Sequence, residues 1–202
     1  MRAAIIDYGM GNIRSVFNAL KYVGFKPVIA EKPQEAYGDI LIIPGVGGFG
    51  DGIKNLEPFK NAILEHVDSG KPLLGICLGL QMLFEASEED PGKAGLGLMK
   101  GKIVKIRTKY KLPHIGWNRV HIRREECPLL KGLEDGYAYF VHSYHAAPNE
   151  NVVAAITDYG CEVTAAVWKG NLYGLQFHPE RSGRFGLEIL KNLLRLGKNV
   201  NS

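Results

Sequence analysis

The 202-residue sequence is poor in cysteine, with only Cys77, Cys127 and Cys161. They are odd in number and far apart, so they form no disulfide framework, and a reducing cytoplasm is the expected compartment. No two of them have zinc-ligand spacing. Long apolar runs are missing as well. None approaches the about 20 residues that span a bilayer. Residues 1–7 read as a short strand, without the apolar core of a secretory signal. Charge of one sign is scarce: 25 Lys and Arg against 21 Asp and Glu leave a net +4. Lys105, Arg107, Lys109 and Lys111 alternate instead of clustering, the pattern of a strand's wet face, so nucleic-acid binding is not implied. No Walker-type phosphate loop is present. Gly9 and Gly11 begin a dinucleotide fingerprint, but Arg14 occupies the third glycine's place.

What is present is an ordinary globular composition, 46% hydrophobic and 23% charged, with glycine high at 25 residues. One domain over residues 1–202 is expected. The first half alternates two signals. Apolar runs at 3–6, 28–30, 40–43 and 72–76 read as buried strands. Ile13, Val16, Phe17, Leu20 and Val23 recur at helical steps before a stop at Gly24. Phe59, Ala62, Ile63 and Val67 mark another helix before Gly70, and a third begins near Leu78. Continuous apolar strands alternating with helices predict a parallel sheet covered on both faces. The second half is strand-rich, at 103–107, 120–122, 137–141, 152–156, 165–168 and 172–177, and closes with a helix at 185–196. An acidic, glycine-containing loop at 88–97 separates the halves. The expected fold is α/β: a flavodoxin-like, doubly wound mixed sheet, parallel in the N-terminal half with antiparallel additions in the C-terminal half. Ligands of such sheets bind at the carboxyl ends of strands. The turns after residues 6, 43 and 76 meet there.

One of those turns is Gly75-Ile76-Cys77-Leu78-Gly79. It has the form of a nucleophile elbow with cysteine for serine, in the strand–turn–helix context the motif needs. The helix N-terminus beside the sulfur favours thiolate. Such a nucleophile needs a base. Of six histidines, His66 and His121 read as surface residues. His142 and His145 lie three apart, which on a strand means opposite faces, and no acidic ligand is near. No metal and no cofactor are expected. His178 closes a strand and begins His178-Pro179-Glu180, where the carboxylate two residues on can orient the imidazole. Cys77, His178 and Glu180 are therefore the candidate nucleophile, base and orienter. Backbone N–H groups at Val46 or Gly47, in Pro44-Gly45-Val46-Gly47, and at Leu78 are the candidate oxyanion donors.

The elbow and the downstream His-Pro-Glu together resemble the class I, or triad, glutamine amidotransferases, and the resemblance spans essentially the whole chain. Asp7-Tyr-Gly-Met-Gly-Asn12, Leu112-Pro-His-Ile-Gly-Trp-Asn118, Tyr139-Phe-Val-His-Ser-Tyr144 and Gln176-Phe-His-Pro-Glu-Arg-Ser-Gly183 resemble one branch, the glutaminase subunits of imidazole glycerol phosphate synthases. The resemblance implies hydrolysis of L-glutamine to glutamate and ammonia. It also implies a (β/α)8 barrel cyclase as partner in a heterodimer of histidine biosynthesis. Gln81, Ser143 and Tyr144 are implied to hold the amino-acid end of glutamine. Asn12, Tyr139 and Arg181 are implied to face the partner, with arginine at 181 where lysine is frequent. Because unused ammonia wastes glutamine, low activity alone is expected, with the 44–47 loop as the switch. The alternatives are a glutaminase of another synthase, a cysteine peptidase or deglycase-like enzyme on the same fold, and a non-catalytic binding subunit.

Overall fold

The computed structural model describes residues 1–199; the end of the expected domain, 200–202, lies outside the described residues. β1 (Arg2–Ile6), α1 (Ile13–Val23), β2 (Lys26–Ala30) and β3 (Ile40–Ile43) come first. α2 (Phe49–Leu56), α3 (Lys60–Asp68), β4 (Leu73–Ile76) and α4 (Leu78–Met82) follow. Next are β5 (Ala86–Ser87), β6 (Gly101–Lys105), β7 (His114–Ile122), β8 (Gly136–His142) and β9 (Tyr144–Pro148). The chain ends with β10 (Val153–Asp158), β11 (Glu162–Lys169), β12 (Leu172–Leu175) and α5 (Gly183–Asn199). Among the described residues no helix is long and apolar enough to cross a membrane.

Nine strands form one sheet in the order β2-β1-β3-β4-β12-β11-β10-β7-β8. Its first five strands are parallel, and the rest add antiparallel. Alternate residues of one strand serve opposite faces. Ala3, Ile5, Ile40 and Ile42 meet α1 and α5 through Val16, Leu20, Ile189 and Leu193. Ala4, Ile6, Leu41 and Ile43 meet Phe49, Leu56, Ile63 and Met82 on the other side. Each fully buried Ile or Leu contributes roughly 1.5–3 kcal/mol of transfer free energy, which is why these strands carry no polar face. α1 is held at both ends. Asn12 Oδ1 accepts the Ser15 N–H, and Gly24, at φ 105, closes the last turn onto the Leu20 and Lys21 carbonyls.

The structure corrects the sequence reading at several points. β12 belongs to the C-terminal half yet runs parallel beside β4, with Leu175 opposite Ile76. A separate sheet, β5-β6-β9, covers part of the α2–α4 face. The 120–122 strand begins at His114, so the Pro-His-Ile-Gly-Trp-Asn stretch lies largely on a strand. The alternating basic residues are not one strand face: β6 ends at Lys105, and Arg107, Lys109 and Lys111 are exposed on the connection that follows. His66 is buried, because the inward face of α3 carries its Nε2 to the Pro72 carbonyl at 2.9 Å.

Candidate active site

The elbow forms where β4 must turn directly into α4. Cys77 sits at φ 53 and ψ −107, the only positive-φ residue other than glycine among the described residues. Such a conformation costs on the order of 1–3 kcal/mol. The flanking glycines permit it. A Cβ on Gly75 would lie 2.6 Å from the Gly79 backbone, and one on Gly79 would strike the Ile43 carbonyl. The Cys77 N–H donates to the Leu175 carbonyl at 2.7 Å, tying the elbow to β12.

β12 ends at Leu175, two residues earlier than the sequence suggests, and His178 opens a 3-10 turn, Pro179–Arg181. Its N–H donates to the Tyr139 carbonyl and its own carbonyl accepts the Ser182 hydroxyl at 2.6 Å, so backbone contacts fix the ring. His178 Nδ1 lies 2.8 Å from Glu180 Oε1, with both side chains buried. Nε2 has no completed hydrogen bond, while the Cys77 thiol is close enough to act on it. Burial opposes a charged imidazole here, but the Cys77 sulfur and the Glu180 carboxylate outweigh it and raise the His178 pKa to about 10. The structure thus brings the three candidate triad residues together.

Cys77 opens onto a cavity of about 300 Å³. Every other residue expected around the substrate lines it: Val46, Gly47, Leu78, Gln81, Ser143 and Tyr144. Glu89, Pro113, Val141 and His142 line it as well, and sequence reasoning missed them. Glu89 belongs to the acidic loop and reaches the site because its Oε2 accepts the Phe49 N–H at the start of α2, at 2.8 Å. The contact spans 40 residues of sequence, so no local signal marked it.

The two sides of the candidate oxyanion site differ. The Leu78 N–H is engaged by the Gly45 carbonyl at 3.4 Å. Gly47 has φ 123, and Val46 is exposed. Tyr8 donates its hydroxyl to the Pro44 carbonyl at 2.6 Å, and burial, then the nearby Cys77, keeps that phenol protonated by raising its pKa. A Cβ on Gly45 would strike the Tyr8 hydroxyl and sit 2.9 Å from Leu78 Cβ, so the loop packs against the elbow only as glycine.

Behind the cavity runs a buried polar chain that the sequence did not reveal. His142 Nδ1 lies 2.8 Å from the Tyr144 carbonyl. A carbonyl only accepts, so Nδ1 carries the proton and Nε2 accepts from His114 Nδ1 at 3.3 Å. His114 Nε2 then accepts from Asn118 Nδ2. Burial lowers both imidazoles, to about 3 for His142 and about 4 for His114. His145 accepts the Thr164 N–H instead. Among the described residues no group of three or more His, Cys, Asp or Glu side chains is placed to hold a metal ion.

The candidate partner residues lie to one side. Asn12 caps α1, and the Arg181 guanidinium is 5.9 Å from the Tyr139 ring centre. On the β7–β8 ribbon, Trp117 meets Tyr139 edge-on, while Ile115, Trp117 and Tyr137 expose more than half of their surface.

Residues 4–196 match the family described as glutamine amidotransferase class-I. The chain is 48% identical over 195 residues to the imidazole glycerol phosphate synthase subunit HisH of Methanothermobacter thermautotrophicus, covering 96% of this chain and 98% of that one. It is 51% identical over 193 residues to the HisH subunit of Bacillus cereus, covering 94% and 92%. Among solved structures, PurLQS from Thermotoga maritima aligns at TM-score 0.79 and 22% identity, over 96% of this chain and 98% of that one. A glutamine amidotransferase from the same organism aligns at TM-score 0.68 and 18% identity, over 100% and 99%. At those identities the structures speak for the fold alone. The family match and the near-half identity along the chain carry the conclusion: this chain belongs to the class I glutamine amidotransferases and is an enzyme of the glutaminase type.

Proposed function

We propose that the chain is the glutaminase subunit of an imidazole glycerol phosphate synthase, built as one domain and working in the cytoplasm beside a (β/α)8 barrel cyclase. The observation that carries the chemistry is the buried Cys77–His178–Glu180 arrangement, whose cysteine lines a cavity of about 300 Å³, room for one amino acid. The near-half identity to HisH subunits along almost the whole chain selects the synthase.

In this reading the Cys77 thiolate attacks the side-chain amide carbon of glutamine. The charge moves to the amide oxygen, which backbone N–H groups at Val46 or Gly47 and at Leu78 receive. His178, held as an imidazolium by Glu180, gives its proton to the amide nitrogen, and the C–N bond breaks to release ammonia and leave a thioester. Neutral His178 then takes a proton from water, whose oxygen attacks the thioester. Collapse returns glutamate and the thiolate. General acid–base help is worth roughly 10²–10⁴-fold, and one oxyanion donor about 10²–10³-fold. Glu89 is the cavity's carboxylate and pairs with the substrate ammonium. Both amide protons of Gln81 are engaged inside the protein, which leaves its carbonyl oxygen to join Glu89. The Ser143–Tyr144 backbone offers N–H groups to the substrate carboxylate; its carbonyls are engaged by Ile106, His142 and Gln81.

With the Gly45 carbonyl on the Leu78 N–H, that donor is withheld from the substrate. The proposal is that the partner shifts the 44–47 loop and frees it. Ammonia released into a partner's dry interior stays unprotonated and reactive, whereas in neutral water it becomes ammonium. The aromatic β7–β8 face, with Asn12, Tyr139 and Arg181 beside it, is the surface offered to the cyclase. The test is glutamine hydrolysis by the chain alone and with a barrel cyclase and its nucleotide ligand. Strong stimulation, lost in Cys77→Ala, supports the reading. Equal activity with and without the cyclase removes the partner, and activity in Cys77→Ala removes the triad.

A further inference from the structure

Gln176 has no part in the mechanism above, yet it is fully buried and touches the sulfur. Its amide orientation is fixed from outside. The Tyr144 carbonyl, already accepting His142 Nδ1, also takes one proton of Gln81 Nε2 at 3.1 Å. Gln81 therefore turns its nitrogen inward, and its other proton goes to Gln176 Oε1 at 3.2 Å. Gln176 must then present its own nitrogen on the far side, where Nε2 lies 3.6 Å from Cys77 Sγ. A buried glutamine whose oxygen is already occupied has only N–H left to give, and sulfur accepts best when it is thiolate.

We propose that Gln176 is a positioning residue for the glutaminase reaction: its amide, oriented by Gln81 and the Tyr144 carbonyl, donates a hydrogen bond to Cys77 that holds the sulfur as thiolate and aims it at the cavity. This rests on Cys77 being the nucleophile. The sulfur then has two donors within reach, His178 and Gln176, besides the Val141 carbonyl at 3.9 Å. The two differ in kind. His178 gives its proton away during the reaction, while the amide keeps its own, so Gln176 supports the thiolate both before attack and after thioester breakdown. The same chain makes Gln81 face both ways, its nitrogen holding Gln176 and its oxygen left for the substrate.

The test is Gln176→Met, which fills the space without a donor. Cys77 alkylation by iodoacetamide is followed against pH on the full chain, with the Cys77 peptide resolved by mass spectrometry from those of Cys127 and Cys161. The alkylation midpoint is expected to move up by about one pH unit, a tenfold change in thiolate stability, with kcat for glutamine down about tenfold and KM changed less than twofold. An unmoved midpoint beside reduced activity would overturn the proposal, and so would a raised KM with kcat unchanged. Should the variant fail to fold, the unaltered chain still decides: the Gln176 side-chain amide resonance is expected to shift with pH at the alkylation midpoint, and a flat resonance overturns the proposal. Failure of the triad reading is distinguishable, since it appears as glutamine hydrolysis by Cys77→Ala.

Discussion

Two histidine sites lie buried at one end of this molecule and hold their protons oppositely. His178 is raised to about 10, His142 lowered to about 3. Burial pushes both the same way, toward the neutral ring. The difference lies in what each ring meets. His178 faces a carboxylate and a thiol, two groups that become negative, and their attraction exceeds the desolvation cost. His142 faces a carbonyl and a second imidazole, which satisfy its nitrogens without charge. One ring is built to carry a proton through a reaction. The other is built to stay neutral and hold the Tyr144 carbonyl in place. Burial does not decide how a histidine is used; its two nearest polar neighbours do.

Removing the charge beside His178 is the strongest way to break this contrast. Glu180→Gln is expected to lower kcat for glutamine by about 10²–10⁴-fold. It is also expected to shift the basic limb of the pH–rate profile toward acid, Cys77 alone still favouring the charged ring. An unchanged profile would mean the carboxylate does not hold the imidazolium.

The neutral pair gives the next effect, on stability. His142 and His114 bind protons more weakly folded than unfolded, so between pH 6.5 and about 4 the unfolded chain holds more protons. Stability therefore rises with pH across that window and is lost on acidification. The loss by pH 4 is of order 3 kcal/mol from His142 alone, with a smaller, solvent-screened share from His114, read from urea midpoints at successive pH values. His142→Gln should flatten that slope.

Smaller effects come from the outer side of the same ribbon. Trp117→Ala is expected to weaken cyclase stimulation about tenfold at limiting partner, as truncating an aromatic anchor does, with activity in the absence of the partner unchanged. The smallest is Tyr8→Phe. It removes the 2.6 Å hydrogen bond to Pro44 and should cost about 1 kcal/mol in thermal unfolding. Activity without the cyclase should rise if that tether restrains the loop.

The parts of the site that were legible in the sequence are the local ones. Gly75 and Gly79 announce the elbow, Gly75 because a side chain there would strike the Gly79 backbone and Gly79 because it lies against β3. His178 and Glu180 are two positions apart, so one turn sets their geometry. Contacts made by strand register were not legible. His114 lies opposite His142 only because β7 and β8 pair in that register. Gln176 reaches Cys77 only because β12 runs parallel beside β4. Neither fact is written in a window of ten residues. The N-terminal sheet was read correctly from its unbroken apolar runs. The basic alternation after Lys105 misled, because exposed loop residues and exposed strand residues share one composition.

The most direct measurement is a pH titration of the ring nitrogens in the chain labelled with 15N-histidine. The account predicts that His178 stays imidazolium to about pH 9–10 while His142 and His114 stay neutral down to about pH 4. All three rings titrating together near 6.5 would contradict it.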